Sequence, residues 1–236
     1  ENLCVHHYQV CDGIIHCNHS RDDEKSCTDF ECPDVCTCLA FSIDCSSASL
    51  AWFPLICRQT RSLFINHSRL QTLNIEKRIK NLEMLMTLVL SYSYIEGIPS
   101  YSFRHNKKLL ILDFQGNSIS YLSENSFYNI SKLTYLQLDN NNIEIIFDYT
   151  FKFLSSLKYL YLGESKIKHI QQKAFTHLTL LQYLGLQHNQ LKQLNAAIFN
   201  ELYSLEILNL EGNHLESLYT DIFTANTKLS LIITQN

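Results

Sequence analysis

Apolar side chains recur at fixed intervals through most of this chain of 236 residues. The spacing Leu-x2-Leu-x-Leu-x2-Ser-x-Ile-x2-Ile-x4-Phe begins at Leu85 and returns every 24 residues. Its first apolar position falls at Leu85, Leu109, Leu133, Leu157, Leu181, Leu205 and Leu229. The closing aromatic residue is Phe103, Phe127, Phe151, Phe175, Phe199 or Phe223. Registered copies of one unit predict a solenoid of stacked coils rather than a single globular core.

Within each unit, the Leu-x-Leu segment alternates with period two and predicts a short strand. Its inward side chains need the next coil to bury them. We therefore expect parallel strands along a concave face, with irregular or short helical segments outside. A polar slot follows each strand, where an amide can bond buried backbone groups. This slot holds Asn117, Asn141, Asn189 and Asn213, with serine substituting at Ser93 and Ser165.

This framework resembles the leucine-rich repeat. The resemblance implies an α/β leucine-rich-repeat solenoid with parallel β-strands on its concave face, over residues 58–236. It implies about seven repeats and a truncated last copy, with a weaker copy around Leu63. A solenoid without a terminal cap exposes apolar surface. Because the last copy stops at Asn236, we expect the chain to be a piece of a longer protein.

All nine cysteines lie between Cys4 and Cys57. Secreted modules that are too small to build a core concentrate cysteines in this way. Three Asn-x-Ser sequons, at Asn18, Asn66 and Asn129, agree with passage through the secretory pathway. We interpret the chain as an extracellular glycoprotein.

The cysteines of residues 32–57 have the spacing Cys32-Pro-x2-Cys36-x-Cys38-x6-Cys45. This resembles the cysteine-rich cap that precedes leucine-rich repeats, and the resemblance implies disulfides Cys32–Cys38 and Cys36–Cys45. Spacing alone leaves three pairings open, and a zinc site is the rival interpretation. Cys57 is either a small buried residue of the first coil or pairs with a partner outside this chain.

Residues 1–27 resemble the second half of a low-density-lipoprotein receptor class A module, with four of its six cysteines. Residues 28–31 form a short linker to the cap. The resemblance implies the disulfide Cys11–Cys27 and a calcium site. Its ligand positions match Asp12, Asp23 and Glu24, whereas His16 and His19 stand where the family has Asp. Calcium prefers oxygen ligands, so these two histidines weaken the site. The alternative is a solvated acidic loop.

The outward strand positions carry aromatic and acidic residues without Lys or Arg. Tyrosines at 135, 159 and 183 occupy one slot in three successive coils and predict a stacked row of rings. Aromatic side chains beside carboxylates favour ligands that bear Arg or Lys. The predicted ligand-binding residues are Asp113, Tyr135, Asp139, Tyr159, Tyr161, Glu164, Tyr183 and Glu211. The alternative is a surface that is merely soluble and has good strand propensity.

Other function classes find no signal in the sequence. There is no phosphate loop, nucleophile elbow or His-Glu-x2-His motif, so we expect no enzyme. A net charge of −4 and the absence of a basic block argue against nucleic acid as a partner. No run approaches 18 apolar residues, so no membrane span is predicted within the chain.

A class A module followed by a cysteine cap and leucine-rich repeats resembles the ectodomain of relaxin-receptor-type G-protein-coupled receptors, especially invertebrate relatives. The resemblance implies a peptide or protein ligand, a location on the outside of the plasma membrane, and a G protein reached through a seven-helix domain beyond this chain. The four-residue linker is far shorter than in vertebrate relaxin receptors. The alternative function is a secreted or anchored adhesion or matrix protein with the same binding face and no signalling.

Overall fold

The computed structural model describes residues 32–70, 74–195, 197–217 and 220–234. Its main sheet has ten strands in the order β1-β2-β3-β4-β6-β8-β10-β12-β13-β14, and all neighbours after the β1–β2 hairpin are parallel. These strands are β1 (Thr37–Leu39), β2 (Ser42–Asp44), β3 (Ser62–Phe64), β4 (Thr87–Val89), β6 (Ile111–Asp113), β8 (Tyr135–Gln137), β10 (Tyr159–Tyr161), β12 (Tyr183–Gly185), β13 (Ile207–Asn209) and β14 (Leu231–Ile233).

The return segments of the coils contain turns and only short regular elements. Two small parallel sheets pair β5 (Gly97–Ile98) with β7 (Tyr121–Leu122), and β9 (Ile145–Ile146) with β11 (His169–Ile170). Helix α1 (Ile75–Ile79) begins after Asn74, whose side chain accepts a hydrogen bond from the Lys77 amide at 3.0 Å. Two 3-10 helices span Ser46–Ala48 and Thr220–Phe223.

The predicted leucine stacking is confirmed. Leu88, Leu112 and Leu136 occupy the same register in β4, β6 and β8, and all three are fully buried. On the opposite side of the core, the closing phenylalanines stack in pairs. The ring centroids of Phe127 and Phe151 lie 5.8 Å apart. Apolar burial therefore runs through the coils as continuous columns, which is the source of their mutual stabilisation.

Asparagine amides hold the turns after β6, β8, β12 and β13, as predicted. The Asn141 side chain donates to the carbonyls of Phe114 (3.0 Å) and Leu138 (2.9 Å) and accepts from the Ile119 amide (3.0 Å). Asn117, Asn189 and Asn213 repeat this arrangement. At the serine position, Ser165 Oγ makes two longer bonds of 3.3 Å, to Gly163 O and from Asn141 N.

The front of the solenoid is closed by the β1–β2 hairpin. Its disulfides are Cys32–Cys38 and Cys36–Cys45, the pairing that the cap resemblance implies. Because β2 pairs in parallel with β3, the hairpin continues the main sheet and covers the first coil. Cys57 is half-buried rather than a core residue, and its thiol donates a hydrogen bond to the Gln59 side chain.

Candidate functional site

Tyr135, Tyr161 and Tyr183 form a row of neighbouring rings on the concave face. Tyr135, Tyr159 and Tyr183 are in register across β8, β10 and β12, as predicted. The continuous row nevertheless runs through Tyr161, with ring centroids 5.1 Å apart for Tyr135–Tyr161 and 4.7 Å for Tyr161–Tyr183. The prediction that Tyr159 is the middle member of this row is therefore wrong, although its ring lies 6.4 Å from that of Tyr135.

A glycine explains why the row runs diagonally. Gly185 pairs with Tyr161 in the sheet and has no side chain. A Cβ atom at Gly185 would lie 3.0 Å from the Tyr183 ring, so the ring leans over the space that the glycine leaves. Diagonal neighbours on adjacent strands lie within reach of aromatic side chains. The ring of Tyr183 consequently contacts Tyr161 instead of its register partner.

Asp139 lies beneath this surface rather than projecting from it. Only 8% of the residue is exposed, so little of this predicted binding residue faces solvent. Its Oδ1 accepts a hydrogen bond of 2.5 Å from the Gly163 amide in the next coil. Burial, assisted by repulsion from Glu164 and Asp113, raises the pKa of Asp139 to about 6. The group is therefore largely ionised at pH 7, at the cost of desolvation.

The other predicted carboxylates occupy more open positions. Asp113 ends β6 half-buried, where its Oδ1 accepts hydrogen bonds of 2.8 Å from Ser91 Oγ and from the Gln115 amide. Glu164 is exposed in the turn after β10, with a left-handed backbone at φ 49°. Glu211 is half-buried after β13. Asp113 and Glu164 each act electrostatically on Asp139, whereas no contact among the described residues links Glu211 to them.

The tyrosine hydroxyls share the environment of these carboxylates. Burial, together with the negative charges of Asp113 and Asp139, raises the pKa of Tyr135 to about 12. Burial also raises the pKa of Tyr161 and Tyr183. All three hydroxyls are therefore protonated at neutral pH and can donate or accept hydrogen bonds. The rings supply negative π faces beside negative carboxylates, which is an arrangement that attracts cations.

Two glutamines on this face were not among the predicted site residues. Within the described part of the chain, the side-chain oxygens of Gln137 and Gln187 are buried without a hydrogen-bond partner. Gln187 lies across Gly163, where a Cβ atom would come within 2.3 Å of its amide nitrogen. Buried acceptors of this kind are costly and need an explanation. The only signal in the sequence was their outward-facing position beside the strands, which many surface residues without a binding role share.

The predicted sequons at Asn66 and Asn129 differ in their surroundings. The Asn66 side chain accepts a 3.2 Å hydrogen bond from the Ser91 amide, and Ser68 of the same sequon is fully buried. Asn129 is half-buried and donates to the Arg104 carbonyl at 2.9 Å, while Ser131 is exposed. Glycosylation at both positions stays a prediction.

Several predicted residues lie outside the described residues. They are the calcium ligands Asp12, Asp23 and Glu24, the disulfide pair Cys11 and Cys27, and the sequon at Asn18. Among residues 32–70, 74–195, 197–217 and 220–234, no group of three or more His, Cys, Asp or Glu side chains could hold a metal ion. In the same ranges, no helix has the length and apolar character needed to cross a bilayer.

The sequence and the fold both resemble known repeat proteins. The leucine rich repeat family matches residues 83–143 and 131–191, and the BspA type leucine rich repeat region matches residues 163–236. The comparison with curated proteins found no match.

Two solved structures illustrate the similarity in fold. TLR13, in its complex with ssRNA13, is 25% identical with a TM-score of 0.60 over 74% of this chain. An internalin from Listeria monocytogenes is 24% identical with a TM-score of 0.59 over 73% of this chain. The chain spans 28% of the TLR13 chain and 47% of the internalin chain. With parallel strands in register, asparagine-bridged turns and family matches that together run from residue 83 to residue 236, the chain belongs to the leucine-rich-repeat family.

Proposed function

We propose that the concave face around β6 to β12 captures a peptide or protein ligand that carries Arg or Lys side chains. The observation that carries this proposal is the row of Tyr135, Tyr161 and Tyr183 rings set among the carboxylates of Asp113, Asp139 and Glu164. A cation over these rings gains π interactions and charge attraction together.

Aromatic anchors are the residues that most often dominate binding energy at protein interfaces. Here the rings are already packed against one another, so little side-chain entropy is lost on binding. The carboxylates fix the sign of the ligand's charge and increase its association rate. We expect the tyrosine row to determine affinity, with the carboxylates selecting cationic ligands.

We infer further that this face belongs to the extracellular part of a receptor. The support is the sequence resemblance of residues 1–57 and of the repeats to the relaxin-receptor type of G-protein-coupled receptors. In such a receptor, the ligand would bind outside the plasma membrane, and a seven-helix domain beyond this chain would reach the G protein. Calcium bound by Asp12, Asp23 and Glu24 would belong to the class A module of that receptor.

An adhesion or matrix protein is the second candidate function. It is favoured by the same observation, since a tyrosine-rich concave face suits any cationic protein partner. The transcript downstream of the codon for Asn236 separates the two candidates. Seven apolar spans would favour the receptor, whereas a stop codon or a single anchor would favour adhesion.

A displayed library of random peptides provides a probe when the natural ligand is unknown. We expect selection on the immobilised chain to enrich peptides that combine Arg or Lys with apolar residues. Tyr161→Ala and the double variant Asp113→Asn/Glu164→Gln should each weaken an enriched peptide at least tenfold. Asp221→Asn, an exposed acidic position on the 3-10 helix outside the main sheet, provides the charge control and should leave its affinity unchanged. Equal recovery of neutral and cationic peptides would overturn the proposal.

A further inference from the structure

An apolar loop projects beside the first full repeat. We call residues 51–57 the Trp52 loop. Its Phe53 and Pro54 are buried against the first coils, whereas Trp52 is 59% exposed and Leu55 is 90% exposed. The two buried residues anchor the loop and hold the two large apolar side chains in solvent. Such exposure is costly unless another surface covers these side chains.

Cationic side chains surround this loop. Trp52 lies in a groove that is also lined by Arg69, Lys77 and Arg78. Leu55 lies in an adjoining groove that shares Lys77 and Arg78. The two apolar residues therefore stand on either side of a pair of exposed cations on helix α1.

The neighbouring acidic residue of α1 does not neutralise these cations. Glu76 forms an ion pair of 2.9 Å with Arg104 in the next coil. No ion pair of Lys77 or Arg78 occurs among the residues that the structure describes. The surface thus combines projecting Trp and Leu side chains with positive charge that no ion pair among the described residues neutralises.

We propose that the Trp52 loop and the cations of α1 form a docking site for an anionic phospholipid membrane. Tryptophan favours the level of the lipid headgroups, leucine favours the acyl boundary, and cations attract acidic headgroups. A groove for an acidic peptide would enclose its apolar anchors, but Leu55 stands almost entirely outside the protein surface. This exposure favours a fluid bilayer that surrounds the side chain on all sides. The site is separate from the concave face and depends neither on the proposed ligand nor on the proposed location, because any bilayer with acidic headgroups on the side that the chain meets would suit it.

The chain offers a direct reporter, because Trp52 is its only tryptophan. The intact chain is titrated with vesicles of phosphatidylcholine containing 30 mol% phosphatidylserine, and with pure phosphatidylcholine vesicles as reference. We expect co-sedimentation with the anionic vesicles only, a blue shift of Trp52 emission, and quenching by brominated acyl chains. Binding should weaken as salt is raised.

Substitutions separate the charge contribution from the apolar contribution. Each cation near an anionic membrane contributes about fivefold in affinity, so Lys77→Gln/Arg78→Gln should bind about 25-fold more weakly. Lys132→Gln/Lys228→Gln removes two exposed charges elsewhere and should bind like the parent chain. Leu55→Asp should abolish the blue shift. Because Leu55 is exposed, this substitution should not change the temperature at which the chain unfolds.

Three outcomes would overturn the assignment. The first is unchanged Trp52 emission with anionic vesicles. The second is an equal loss of binding in Lys77→Gln/Arg78→Gln and in Lys132→Gln/Lys228→Gln, which would indicate attraction by net charge alone. The third is a Trp52 shift with a soluble Glu- and Leu-rich peptide but none with vesicles, which would assign the site to an acidic polypeptide instead.

Discussion

The asparagine bridges allow the stability of a single coil to be tested. Asn141→Ala removes four hydrogen bonds and leaves the carbonyls of Phe114, Leu138 and Asp139 and the Ile119 amide without their side-chain partner. Each buried group that loses its partner costs about 1–3 kcal/mol. Because the carbonyls have a second lone pair and the structure can relax, we expect a total loss of about 3–4 kcal/mol.

Equilibrium unfolding in urea measures this loss. The neighbouring Asn142→Ala variant is the matched control, since the Asn142 side chain is half-buried and makes no hydrogen bond seen in the described ranges. The control should lie within about 0.5 kcal/mol of the parent chain. The slope of free energy against urea should be the same for all three proteins. If Asn141→Ala unfolds within about 0.5 kcal/mol of Asn142→Ala, the amide bridges do not stabilise the solenoid as argued.

Three further predictions concern other parts of the chain. Ser165→Asn should add about 1 kcal/mol of stability in urea by supplying amide bonds that the shorter serine cannot reach. Burial gives Asp139 a native pKa of about 6, above its unfolded value. The stability that this residue contributes is therefore fully present below about pH 4 and is lost as the pH rises through 6. Asp139→Asn should remove this decline, of at most about 3 kcal/mol, between urea titrations at pH 4 and pH 7. Cys36→Ser/Cys45→Ser should cost about 2–4 kcal/mol and lower the thermal midpoint, whereas an unchanged midpoint would mean that the cap does not stabilise the repeats.

Most of the fold could be predicted because its main constraint repeats along the sequence. Leu88 and Leu112 must share a register, since neither can be buried without the next coil. The turn amide at Asn117 follows from the same repeat, because every coil turns at the same place. A feature that recurs with the period of the coil is visible in the sequence whether or not its detailed geometry is known.

Features that do not recur in every repeat were not predicted. Asn106 and Asn226 bridge two carbonyls on the far side of the core, at a slot that holds leucine or isoleucine in the other repeats. The row through Tyr161 depends on a glycine in the neighbouring strand, and the burial of Asp139 depends on contacts with the next coil. Such contacts join unlike residues of adjacent repeats, so the shared pattern carries no trace of them.

Among the described residues, two of the five buried side-chain oxygens without a hydrogen-bond partner lie on the binding face, and the others belong to Thr60, Asn106 and Asn226. The asparagine turns satisfy both the donor and the acceptor of each amide. What is particular to the concave face is that the unpartnered oxygens of Gln137 and Gln187 occur on the same surface as Asp139, which is ionised at neutral pH despite its burial. Native proteins retain such costs mainly where function requires them. A ligand that carries positive charge would offset the charge of Asp139, so binding should stabilise these coils more than the remainder of the solenoid. Hydrogen exchange with an enriched cationic peptide bound should therefore slow most at the amides of β8, β10 and β12.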